Sequence, residues 1–138
     1  MNRIDLQHIS RLRLREARFL LNSQSFEGAY YLAGYAVECA LKACIARKIN
    51  RHDFPDKKLA NDSYSHKLED LINVAGLTTQ LTSLIHANRT FEINWSTVKD
   101  WSEQERYTRV IPETKARDLY KAITSRRNGI MTWLRTQW

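Results

Sequence analysis

Residues 26–49 read FEGAYYLAGYAVECALKACIARKI, and between Gly28 and Ala46 the only charged side chains are Glu38 and Lys42. At 100° per residue, one broad face collects Ala29, Ala33, Ala36, Val37, Ala40, Ala43 and Cys44, all small. A helix apolar almost all round is a buried helix, and small residues let neighbouring backbones approach closely. The remaining arc carries Tyr31, Tyr35, Glu38 and Lys42, at steps of four, three and four, so they stack along one side. The stretch predicts a central helix with one polar, aromatic seam. Its tyrosines and charges do not suit a membrane span, which needs about 20 predominantly apolar residues.

Working outward, the composition fits a helical globular chain. At 138 residues it is about one domain, spanning 1–138, and its 43% hydrophobic and 27% charged content is ordinary. With only 4 Gly and 2 Pro there is little material for many tight turns, which favours helices over a sandwich of strands. Cys39 and Cys44 lie five apart on the same helix and point about 140° apart, so they read as small buried thiols. No apolar run of signal-peptide type opens the chain, so a cytoplasmic location is expected. The net charge is +7 with a pI near 9.6, a balance compatible with a polyanionic partner.

On the N-terminal side, residues 5–22 form an amphipathic helix with Leu6, Ile9, Ala17, Leu20 and Leu21 on one face. Arg13 falls inside that apolar arc, either snorkelling at the core edge or acting as an inward cation near Glu38. On the C-terminal side, residues 50–65 read as a polar connection, and residues 66–75 as a short helix with Leu68, Leu71, Ile72 and Ala75 inward, ended by Gly76. Residues 78–88 form another, with Leu81, Leu84 and Ile85 inward. Residues 89–110 hold Phe91, Trp95, Trp101 and Tyr107 without a sustained helical period. They suit either packing at the end of a bundle or a base-stacking platform. Ser102 to Glu105 fits a capping box, predicting a short helix around Arg106 and Tyr107. Pro112 and Glu113 open one long last helix whose inner stripe is Ala116, Leu119, Tyr120, Ile123, Ile130 and Leu134. Arg127 falls within that stripe, and Gly129 marks a kink or a close approach.

Three pieces of this pattern carry a resemblance. The run GAYYLAGYAVECALKA resembles the second helix of HEPN (higher eukaryote and prokaryote nucleotide-binding) domains, in their small prokaryotic branch. His66-Lys67-Leu68-Glu69-Asp70-Leu71 is similar to the family's short H-x-L-x-x-L helix, and Trp95, Trp101, Arg106 and Tyr107 precede a long last helix as in the family. The resemblance implies an all-α fold, an antiparallel bundle of four to five helices, and a homodimer. It further implies a protein acting on RNA or nucleotides, with a companion nucleotidyltransferase in toxin–antitoxin or defence operons as the usual setting.

Active HEPN ribonucleases resemble one another in an Arg, a polar residue after it, and a His four to six positions after the Arg. The Arg fork stabilises charge developing on phosphate, and the His moves a proton near neutral pH. Here the matching place is Arg127 and Asn128, yet Thr132, Trp133 and Leu134 stand where the His belongs. Arg3 with His8 and Arg47 with His52 share the spacing off the last helix, as chance supplies in an arginine-rich chain. His66 and His86 read as cap or surface residues. No Cys pair has zinc spacing and no glycine-rich phosphate loop appears, so neither metal nor cofactor is expected.

What remains is a constellation. Tyr31, Tyr35, Glu38 and Lys42 line the central helix, with Arg127 facing inward from the last. One reading is an ion pair, Glu38 with Lys42 in the favourable order and Arg127 joining. The other is a pocket for a phosphate-bearing ligand, with Lys42 and Arg127 as anion contacts and the tyrosines stacking. A non-catalytic binding protein is the expectation. The alternative is a metal-independent endoribonuclease rebuilt around Arg127, Asn128 and Glu38.

Overall fold

A computed structural model describes residues 1–49 and 56–138. Among them the chain is all-α: no strand occurs, and eight α-helices and one 3-10 turn follow in order. Helix α1 (Arg3–Asn22) starts with a closed capping box in which Asn2 and Asp5 exchange side-chain-to-backbone bonds. A short turn with Gln24 at positive φ leads to α2 (Phe26–Arg47). Ser10 of α1 lies opposite Ala36, its hydroxyl donating to that carbonyl at 2.8 Å, and Leu20 lies opposite Gly28. The two helices therefore run antiparallel as a hairpin, the most extensive contact in the molecule.

Helix α2 sits at the centre. Its small arc (Ala29, Ala33, Ala36, Val37, Ala40, Ala43, Cys44) is buried throughout, and α1, α4, α7, α8 and the 3-10 turn all pack against it. Cys39 and Cys44 are free and buried. Around it lie α3 (Lys57–Asp62), α4 (Leu68–Val74), α5 (Thr78–Ala87) and α6 (Arg89–Val98). The 3-10 turn (Glu103–Tyr107), α7 (Glu113–Thr124) and α8 (Ile130–Leu134) follow. A single core cluster runs from Leu14 to Trp138, and each fully buried Leu or Ile in it contributes about 1.5–3 kcal/mol. No helix among the described residues is long and apolar enough to cross a membrane.

Four expectations need correction. Among the described residues the α-helices number eight rather than four or five. Within the polar connection 50–65, residues 50–55 lie outside the described residues, but α3 forms beyond them because Asp56 caps its first turn through Lys58 and Leu59. The aromatic stretch does hold a helix: Phe91, Trp95 and Val98 are buried at helical spacing on α6, whose N-cap is Asn88. Those aromatics and Trp101 pack in the core, while Tyr107 is exposed.

The last helix is the fourth correction. It is two helices, α7 and α8, separated by residues 125–129. Thr124 and Ser125 turn their hydroxyls back onto the carbonyls of Tyr120 and Lys121, which competes with helix continuation. The Ser125 carbonyl then accepts from Gly129 N–H and the Thr132 hydroxyl. A Cβ at residue 129 would stand 2.3 Å from that carbonyl, so the tight return requires glycine. Ile123, Ile130 and Leu134 are buried as expected, but Arg127 sits in the exposed break and does not face inward.

Candidate functional site

Glu38 is the chemical anomaly of α2: 2% exposed, it is a carboxylate among alanines. Burying such a charge costs several kcal/mol unless partners offset it. Two do. Lys42, one turn on, places Nζ 3.3 Å from Oε2. His66, just before α4, places Nδ1 3.1 Å from both carboxylate oxygens. The other side of the same imidazole faces the 3-10 turn, where Glu103 Oε2 lies 3.3 Å from Nε2. Three segments distant in sequence thus meet on one ring, whose side chain is 44% exposed.

The tyrosines complete the seam. Tyr31 and Tyr35 stack with centroids 6.0 Å apart and an interplanar angle of 15°. Tyr31 also lies against Trp101, 6.0 Å away at 30°. Trp101 can reach it because residue 34 is glycine: a Cβ there would be 2.2 Å from the indole. Burial, and then contact with Cys39 and the nearby Glu38, push the Tyr35 hydroxyl up to about 12. The Cys39 thiol is likewise pushed up to about 11, chiefly by burial. Both groups are neutral at physiological pH. Arg106 projects from the 3-10 turn over the Tyr107 ring, 4.8 Å from its centroid. Contacts with the Tyr107 hydroxyl first, and with Tyr31 as well, raise its guanidinium further above its ordinary value.

Of the residues singled out in the sequence, Tyr31, Tyr35, Glu38 and Lys42 come together. Arg127 and Asn128 do not join them. Among the described residues Arg127 has neither ion pair nor hydrogen bond. Asn128 belongs to a neutral amide cluster, its Oδ1 accepting from Asn88 and its carbonyl from Asn94, each at 2.8 Å. Arg13 pairs with Glu16 rather than with Glu38. His66 and Glu103 were missed. The signal was Glu38 itself, because a buried carboxylate demands a donor beyond its own helix. His86 is exposed, and His52 lies outside the described residues.

Between the His66 turn and the 3-10 turn opens a recess of about 330 Å³, lined by His66, Asp70, Ser102, Glu103 and Gln104 among others. A second recess, about 450 Å³, sets Asp100, Glu105 and Asp118 against a single Lys115, the wrong sign for a phosphate. Burial, reinforced by Glu105 and Asp100, pushes the Tyr30 hydroxyl there up to about 12. No group of three His, Cys, Asp or Glu among the described residues is arranged to hold a metal ion. Chemically, the seam offers stacking surface, a lysine and an imidazole oriented by a buried carboxylate. Comparison with protein-family models, curated proteins and solved structures found no match.

Proposed function

We propose that the chain is an HEPN-like RNA- or nucleotide-binding protein whose ligand lies along the α2 seam. The observation that carries this reading is the stacked Tyr31 and Tyr35 pair on the same helix side as Lys42 and His66. A base has a π-face to stack on the tyrosines, and its phosphate finds Lys42 and His66 one to two turns away. The net charge of +7 favours the encounter. The resemblance supplies the wider setting of this proposal: an antiparallel bundle working as a cytoplasmic homodimer, beside a nucleotidyltransferase, in a toxin–antitoxin or defence system.

A second reading, a metal-independent endoribonuclease, is favoured by one specific observation. Glu38 holds His66 Nδ1 and leaves Nε2 toward the surface recess, the orientation a proton-transfer group needs. His66 would then do the work for which the last helix offers no histidine.

One experiment separates them: labelled tRNA incubated with purified protein in metal chelator, with Lys42→Gln, His66→Gln and Tyr31→Ala beside it. Intact RNA, retained by the parent protein and released by Lys42→Gln and Tyr31→Ala, supports binding. Cleavage lost in His66→Gln establishes the nuclease. RNA neither bound nor cut removes both.

A further inference from the structure

Residues 102–110 contain no buried side chain, yet they run between two buried anchors, Trp101 and Ile111. The Ile111 N–H is tied back to Glu27 at 3.3 Å, and Trp101 is wedged on Gly34. Between these anchors the strap meets the seam's His66 through Glu103. Three residues make one 3-10 turn, so Glu103 and Arg106 project from the same edge. Glu103 reaches His66, while the Arg106 guanidinium lies over the ring of Tyr107.

Charge makes the Glu103 contact distinctive. The groups around His66 are Glu38 and Lys42 on α2, Glu103 on the strap, and Lys67 and Asp70 on its own side of the recess. Carboxylates face both ring nitrogens, Glu38 at Nδ1 and Glu103 at Nε2. Glu38 is already neutralised by Lys42. Glu103 is the outer carboxylate of the two: 28% exposed, on a turn without buried residues, opposite the outward nitrogen.

We infer that Glu103 is an internal stand-in for the ligand's phosphate, latching the strap across the seam until an anion takes its place on His66. This rests on the nucleotide- or RNA-binding reading and adds how the site is closed. An exposed ion pair contributes little, about two- to fivefold in an equilibrium constant, so a phosphate bonding to His66 and Lys42 together displaces it readily. The strap packs against α2, so its departure uncovers that helix's seam to the ligand.

The test uses the full chain, with 5′-AMP and a short single-stranded oligoribonucleotide as probes, and hydrogen exchange of amides 103–107 in the free protein. Glu103→Gln is expected to raise exchange across the turn and to tighten binding about two- to fivefold. Glu105→Gln, which removes the same charge from the same turn without touching His66, should do neither. His66→Gln should weaken binding about tenfold while keeping a hydrogen-bonding partner for Glu38. Tightening of AMP alone identifies a free nucleotide, and of the oligoribonucleotide alone an RNA chain. Unchanged exchange in Glu103→Gln overturns the latch, as does equal tightening by both glutamate variants, which is bulk charge. Raised exchange with neither probe bound by any variant overturns the binding reading and the ligand half of this inference with it.

Discussion

Two polar clusters tie remote segments of this chain together, and they are built from opposite materials. Asn88, Asn94 and Asn128 join the start of α6 to the break after α7 with neutral amides whose bonds are short and mutually satisfying. Glu38, Lys42, His66 and Glu103 join α2, the α4 entrance and the strap with charges, one fully buried and the others partly open to water. The amide cluster closes a gap left where the helix backbone stops, and everything it contains is accounted for by that task. The charged cluster exceeds what structure requires. A leucine at position 38 would pack with the alanines around it, and replacing buried ion pairs by apolar groups is often neutral or stabilising. A charge retained against that gradient, leading to an exposed imidazole, is where a ligand is to be sought.

The comparison breaks most severely at Trp101. Truncation to Ala removes a side chain 1% exposed and should cost about 3–5 kcal/mol in denaturant unfolding. It should also free the strap, so the Glu103 contact is lost while the side-chain amide signals of Asn88 and Asn128 stay in place. Parallel loss of both clusters would show that they are one cooperative unit.

Alkaline pH probes α2 itself, because its C-terminal half buries two thiols, Cys39 and Cys44. Burial raises Cys39 from its ordinary 9.0 to about 11 and Cys44 to about 12. Below pH 9 both states are protonated and stability is unaffected. Above it the unfolded chain releases protons that the folded chain keeps, so stability falls by about 1.4 kcal/mol per pH unit for each thiol. For Cys39 the fall ends near 11, and for Cys44 near 12. Unfolding followed from about pH 8 to about pH 10 should show the decline, and Cys39→Ala and Cys44→Ala should each flatten it by a similar amount over that range.

A matched pair of truncations then weighs the clusters against each other. His66→Ala leaves Glu38 buried with Lys42 alone and should cost about 1–2 kcal/mol, discounted because the imidazole is half exposed. Asn128→Ala breaks one amide bond and keeps the Asn94 bond to the backbone, for about 1 kcal/mol. Calorimetric melting of the two variants gives the ranking, and a costlier Asn128 would make the amide cluster the more important tie.

How much of this was legible depended on whether the information was local. The burial of α2 and its seam follow from one helix's periodicity, and Tyr31, Tyr35, Glu38 and Lys42 were found that way. His66 bonds Glu38 across 28 residues, and nothing in either segment's spacing encodes the meeting. Helix α6 was hidden because Phe91, Trp95 and Val98 keep helical spacing within a polar frame too short to stand out. The last helix misled for the opposite reason. Ile123 and Ile130 keep a seven-residue repeat across the break, so the apolar pattern continues where the backbone does not. The warning lay in Ser125 and Gly129, whose local chemistry outweighed the stripe.

Arg127 therefore provides the smallest expected effect and the sharpest division. In a continuous helix it would point into the bundle, and Arg127→Ala would remove an inward cation beside Glu38. In the broken arrangement it is exposed and has no polar partner among the described residues. Substitution there should change stability by no more than about 0.5 kcal/mol. Under the proposed binding function, its loss should lower the salt dependence of RNA binding by at most about one phosphate contact, without the loss of affinity expected for Lys42→Gln. A folded Arg127→Ala protein that no longer bound or cut RNA would return the site to the α7–α8 break, with Asn128 as its polar neighbour. The charged seam would then be a costly internal tie, and His66 its surface end.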